Sequence, residues 1–286
     1  MNPITPTAKM SGHYKLEAFV PGNPKRVLAE FDNLITDFGL NYIAGSYSEI
    51  LKKCSIGTGN TLPAYSDTTL AAKKAETTAY TDQFISSTSD YLSYKKTFQF
   101  SVGAASGNLA EVGIGTYENL FSRALIKDAQ GNPTTIAVLP DEIQHVTWEL
   151  RIAKPETVSG EVAIIGSGTH SYTLEVKEVS VINTYKNGYL VMGCRRPFFG
   201  AIASGYSEAS VSVNNLNYVT NSFQKASKIT ANIHEANYPT GIGYVTFNLF
   251  EISGSYYSVK AVFDPPIMKT NEQKLTLDVV VSWARA

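Results

Sequence analysis

Cysteine is scarce: the 286 residues contain two, Cys54 and Cys194. That is too few for a disulfide framework, and one in each half of the chain suits small buried core residues better than a bridge. Such usage points to assembly in a reducing compartment. Charge is sparse as well, with Asp, Glu, Lys and Arg making up 17% of residues and summing to −1, where a typical domain carries about a quarter. Without a basic excess there is no electrostatic footprint for a polyanion, so nucleic acid is not an expected partner. No charged-then-apolar leader opens the chain, and no uninterrupted apolar run approaches the ~20 residues of a membrane-spanning helix. The expectation is a soluble, unsecreted chain without membrane insertion.

The patterns of common reactive sites are missing too. There is no Gly-x-Ser-x-Gly elbow and no cysteine with a nearby histidine, so the ingredients of acyl transfer do not show. Gly166-Ser167-Gly168 follows the apolar stretch 162–165 and has the outline of a dinucleotide turn. A strand pattern, Tyr172 to Lys177, stands where a helix would be needed. Gly57-Thr58-Gly59, Gly113-Ile114-Gly115 and Gly241-Ile242-Gly243 lack the Gly-Lys-Ser/Thr of a phosphate cradle and read as turns or bulges where backbone crowding excludes a Cβ. His13, His145, His170 and His234 are scattered, none with a second His or Cys at ligand spacing. Asp141 and Glu142 are adjacent on a turn after Pro140 and point apart. The reading is no catalytic residues, no cofactor, no metal and no enzyme.

Present instead are apolar residues at 43%, 17 Tyr, 13 Phe, 21 Gly and 12 Pro, a profile of strands and turns. Tyr14, Leu16, Ala18 and Val20 alternate as a strand, Pro21 to Pro24 turn it, and a second strand runs near Arg26 to Phe31. Asp32 or Asn33 is a candidate cap for a short helix reaching about Ala44. Residues 54–75 are too rich in turn formers for one regular element. Val146, Trp148, Leu150 and Ile152 alternate near residue 150, as do Leu275, Leu277, Val279, Val281 and Trp283 at the end of the chain, with both tryptophans facing a core.

The chain also echoes itself. Gly113-Ile114-Gly115 followed by Asn119-Leu120-Phe121 answers Gly241-Ile242-Gly243 followed by Asn248-Leu249-Phe250. Trp148 with Arg151 answers Trp283 with Arg285, Cys54 answers Cys194, Phe98 and Phe100 answer Ile229 and Ala231, and His13 answers His170. The fold class expected is all-β: two tandem, mutually similar β-sandwich domains with one short helix in the first. The divisions are an N-terminal arm over 1–11, a frayed terminus or an extended arm ordered only where a partner holds it, a first domain over 12–152, a linker over 153–168 and a second domain over 169–286. Where the first copy has its helix, Val179 to Met192 carries Asn187-Gly188 and reads as a tight hairpin. Arg195, Arg196, Phe198 and Phe199 form a basic and aromatic cluster, read as a loop carrying interface anchors.

Several stretches resemble a known family. Asn33-Leu34-Ile35 with Gly39-Leu40, Gly57-Thr58-Gly59 with Asp67-Thr68 and Leu70, Glu111 to Gly115, and Leu120 to Ile126 are similar, in order and spacing, to tailed-bacteriophage virion proteins of the tail-fibre, minor-tail or structural type. The likeness covers residues 31–151; the second half lacks both the Asn-Leu-Ile signal and the Leu-Phe-Ser-Arg-Ala-Leu-Ile run. It implies a virion component without settling which; joined to the missing reactive sites, the expectation is a non-enzymatic structural part, tail-associated, assembled in the bacterial host cytoplasm. Its partners would be other virion proteins and copies of itself. A capsid decoration protein, or a module holding host glycans on exposed tyrosines, would suit the same architecture.

Overall fold

The computed structural model describes residues 3–45, 51–179, 190–191, 193–252 and 255–286. It is nearly all β. The first half contains β1 (Thr7–Phe19), β2 (Arg26–Ile35), α1 (Asp37–Tyr42), β3 (Lys53–Gly57), β4 (Lys73–Thr77), β5 (Tyr80–Ser87) and β6 (Tyr91–Phe100). It continues through β7 (Gly107–Leu109), β8 (Glu111–Gly115), β9 (Leu120–Leu125), β10 (Ile136–Val138) and β11 (Ile143–Ala153). The second half contains β12 (Ser159–Ile164), β13 (Gly168–Val179), β14 (Leu190–Val191), β15 (Arg195–Gly200), β16 (Ala209–Ser210) and β17 (Ser212–Asn215). It closes with β18 (Gln224–Ala231), β19 (Ile242–Ile252), β20 (Ser255–Ile267) and β21 (Leu275–Arg285).

Period-two burial sets the layers. In β1, Ala8, Met10, Tyr14, Leu16 and Ala18 are buried, while His13, Lys15 and Glu17 face outward. One layer of the first half runs β5-β6-β11-β1-β2; β2 then bends into a second, β2-β9-β8-β3-β4, through Leu34↔Arg123 and Ile35↔Ser122. The faces meet where Phe121 packs edge-to-face on Trp148, centroids 5.3 Å apart, and where the Tyr14 and Ser122 hydroxyls bond at 2.9 Å. This is a sandwich with β2 as its corner.

The second half repeats this succession of pairings. The antiparallel pairs β1–β2, β2–β9, β8–β9, β3–β8, β3–β4, β5–β6 and β6–β11 recur as β12–β13, β13–β20, β19–β20, β15–β19, β15–β16, β17–β18 and β18–β21. One pairing breaks the pattern. β11 lies antiparallel to β1 from Met10↔Ile152 to Phe19↔Ile143, but β21 pairs with no strand of its own half in that place. Its edge takes β1, in parallel, from Thr7↔Ser282 to Met10↔Arg285, with Ile4 bridging Val279 beyond. A single path of strands therefore crosses both halves, flanking β1 with β11 and β21.

Several expectations need correction. Residues 7–11 belong to β1, and Ile4, Ala8 and Met10 are buried, so this stretch is held by the chain's own last strand. The linker shortens to 154–158, because β12 pairs in register with β13 across the Gly166 turn. The helix begins later: Leu34 and Ile35 are drawn into the β2–β9 ladder, and Thr36 is the cap, its hydroxyl accepting from Gly39 N. Some matched anchors are not structural equivalents. With Phe98 set against Ile229, the ladders put Trp148 opposite Val279 in register, four residues short of Trp283. His170 lies on β13, whose counterpart is β2, not β1, and Asn248 to Phe250 lies in β19, whose counterpart is β8, not β9. Alternating strands and recurrent turn residues produce such look-alikes at neighbouring positions. The hairpin expected at Asn187-Gly188 lies outside the described residues.

Candidate functional site

Five residues singled out in the sequence, Gly57, Gly59, Asp67, Glu111 and Arg123, converge on one buried cluster. β8 and β9 place Glu111 and Arg123, 0% and 2% exposed, beneath the crossing loop 58–72. Glu111 Oε1 accepts from Gly59 N at 3.1 Å and Ala72 N at 2.7 Å; Oε2 accepts from Ala71 N at 3.0 Å and from Arg123 Nε and Nη2 at 3.2 and 2.9 Å. Arg123 also donates to Asp67 at 2.6 Å and to Thr61 O at 2.9 Å. A Cβ at Gly59 would stand 2.4 Å from Glu111 Oε1, and one at Gly57 2.6 Å from it, so both glycines are required for the carboxylate to reach the loop backbone. Five donors on two oxygens saturate Glu111. It serves as a loop clamp and has no free lone pair for proton transfer.

The clamped loop borders two adjoining cavities that share Asp32, Asn33 and Leu34. One, about 320 Å³, is lined mainly by Leu34, Leu62, Pro63, Ala124, Leu125 and Pro133. The other, about 430 Å³, lies among Met10, Ile35, Tyr65 and Arg285. They open where β2 and β9 diverge beyond Leu34↔Arg123. Leu62 and Tyr65 are exposed on the loop, as Ile202 and Tyr206 are on the corresponding crossing from β15 to β16. At the far side of the second cavity Arg285 stacks on the Tyr65 ring, 3.9 Å from its centroid, donates to Ile35 O at 2.6 Å and pairs with Asp37. Trp283 Nε1 donates to Leu40 O at 3.0 Å, and the Asn41 side chain bonds Tyr218 and Asn221. These contacts seat α1 against the second half.

The structure separates the remaining candidates. Arg195 to Phe199 lie on β15, not on a loop, because the segment pairs with β19 around a bulge. Arg195 is tied to Glu251 at 2.8 Å, Phe199 is fully buried in the core, Phe198 is partly buried, and only Arg196 points freely outward. His13 sits between Asp32 at 2.8 Å and Glu30 at 3.1 Å, which occupy both ring nitrogens. His145 accepts from Lys25 Nζ at 3.0 Å on Nδ1 and faces Gln99 through Nε2. Burial, then the Lys25 charge, depress its pKa below the usual histidine range. His170 faces Ser167 Oγ at 3.0 Å and Pro265 O at 2.7 Å, the spacing of a nucleophile, base and orienting acceptor. Neither cavity described above borders that pair, and Ser167 is a hairpin-tip residue. Cys54 and Cys194 are free and buried, and burial pushes both thiols up, away from the reactive thiolate. Among the described residues no three His, Cys, Asp or Glu side chains converge as a metal site, and no helix is long and apolar enough to cross a membrane.

Sequence reasoning named Glu111 and Arg123 only as pieces of a likeness, read Gly57, Gly59 and Asp67 as parts of a turn-rich crossing as well, and missed that the five form one network. The available signal was a Glu and an Arg placed among apolar residues on facing strands, since charges are seldom fully buried unless paired. No family model, curated protein or solved structure matches the chain.

Proposed function

We propose that this chain is a non-enzymatic structural component of a bacteriophage particle, built by duplication of one β-sandwich domain and acting in the tail through protein–protein assembly. The observation that carries the reading is where polar and apolar groups are spent. The acid and arginine of the family-like segment are consumed in holding a loop, and that loop presents Leu62 and Tyr65 to solvent. Aliphatic and aromatic tips on rigid supports are what protein interfaces use as anchors. The recurrence of seven strand pairings supports the duplication, and the equivalent exposed pair, Ile202 and Tyr206, puts the same chemistry on the second half. Two similar surfaces on one chain suit an assembly in which each copy meets two neighbours.

The test is to raise antibody against the chain and label purified particles of the phage that encodes it. Label on the tail is expected. Label on the head would move the chain to capsid decoration, and particles free of both label and the chain's peptides in mass spectrometry would end the proposal.

A further inference from the structure

The seam of the second half is closed by a borrowed strand. In the first half β1 lies between β2 and β11 and closes one layer onto the β2 corner. Its counterpart β12 pairs with β13 but not with β21, so the β21 edge would be left open. Residues 4–10 fill it: Ile4 N donates to Asp278 O at 2.9 Å, and Val280 N, Ser282 N and Ala286 N donate to Ile4, Pro6 and Met10 carbonyls at 2.8, 3.0 and 2.8 Å. Ile4, Pro6, Ala8 and Met10 point alternately into the core. The groove therefore selects an extended segment running parallel to β21 with small or aliphatic residues at every second position.

We propose that this groove is a strand-acceptor site at which residues 4–10 act in cis in the lone chain and in trans between copies in the assembly. The partner is a second copy of this chain. Two features carry the exchange. The donor segment 4–10 lies in the first half and its acceptor edge, β21, in the second, the two being joined through residues 154–158. The half-to-half contacts of Arg285, Trp283 and Asn41 join one surface of the first half to a different surface of the second, so the same bonds form head-to-tail between copies. Since bonds lost in cis are regained in trans, concentration decides: a short tether gives an effective concentration on the order of millimolar, so cis holds in dilute solution and trans competes at particle-like density. The inference supplies an assembly step for the function proposed above and rests on that reading for its biological setting.

Thr7 and Ser282 face each other with hydroxyls 2.6 Å apart, which gives a direct test. Thr7→Cys and Ser282→Cys chains are refolded together from denaturant at about 1 mM, then diluted and oxidised. A disulfide-linked heterodimer at twice the chain mass is expected, its yield rising with refolding concentration. The double variant refolded dilute should close within one chain and shows that the pair is competent. If the double variant closes but the mixture gives no heterodimer at any concentration, exchange is overturned. Particle labelling is read independently, so tail label without heterodimer would remove the exchange and leave the functional reading standing.

Discussion

Glu111 shows how a single side chain can organise a surface from beneath it. Removing one partner of a buried, hydrogen-bonded pair leaves the other charge stranded, which typically destabilises by about 3–5 kcal/mol. Glu111→Ala is expected to lower unfolding stability by about 3 kcal/mol, the lower end of that range, in urea titration, because three loop N–H groups lose their acceptor while Arg123 keeps Asp67 as its one carboxylate. A loss below ~1 kcal/mol would mean that the loop is held by other contacts. His145 makes a pH prediction. Its folded-state pKa is depressed by burial and by Lys25, so the unfolded chain takes up the proton first as pH falls. Stability is complete above the unfolded value of about 6.5 and declines below it, levelling off once the folded value is passed. Glu142, held below the usual carboxylate range by Arg26, adds its own loss in more acid solution. The urea midpoint should fall between about pH 7.5 and pH 5.5, a window around the unfolded histidine value, and fall less in His145→Gln. Equal slopes for the two proteins would contradict the assignment.

Among the elements, α1 follows the β2 corner and carries the contact to the second half. Thr36 caps it through Gly39 N while its own hydroxyl donates to Leu120 O at 2.6 Å. Thr36→Ala removes a cap and leaves a buried carbonyl without that donor, an expected loss of about 1–2 kcal/mol by thermal or urea unfolding; no measurable change would show that α1 is held by packing alone. Legibility in the sequence divided along a physical line. β1, β2, β11 and β21 could be read because one face is apolar and the other polar, which alternation records directly. The start of α1 was misplaced because Asn33 and Asp32 are good caps in isolation, and a ladder to β9, eighty-odd residues away in sequence, overrides them. The β15 cluster was misread for a similar reason: two arginines and a proline look like loop, but pairing with β19 and burial of Phe199 decide the matter. The Glu111 network was least legible, since nothing local to either residue says that the two will meet.

At the scale of the molecule, β1 joins the two halves of the chain. β11 runs antiparallel to it and β21 parallel, so equivalent final strands of the two halves point in opposite directions. The loops before them, with exposed Leu139 in one and Met268 in the other, therefore sit at opposite ends. Ile4, fully buried in the seam, tests whether the N-terminal stretch is structural. Ile4→Ala should destabilise by about 2–5 kcal/mol, as truncating a core isoleucine does, whereas a free arm would give a change within ~0.5 kcal/mol. The alternating strands of both halves were visible in the sequence, but the borrowed strand was not: Pro3 and Pro6 hide a segment whose partner is at the far end of the chain. The most direct test of the whole account is a reconstruction of the particle at a resolution that traces strands. The account predicts this chain in the tail, in repeated copies, with Leu62, Tyr65, Ile202 and Tyr206 buried against neighbouring subunits. Finding the chain in no part of the particle, or in place with those four residues facing solvent in every copy, would contradict it.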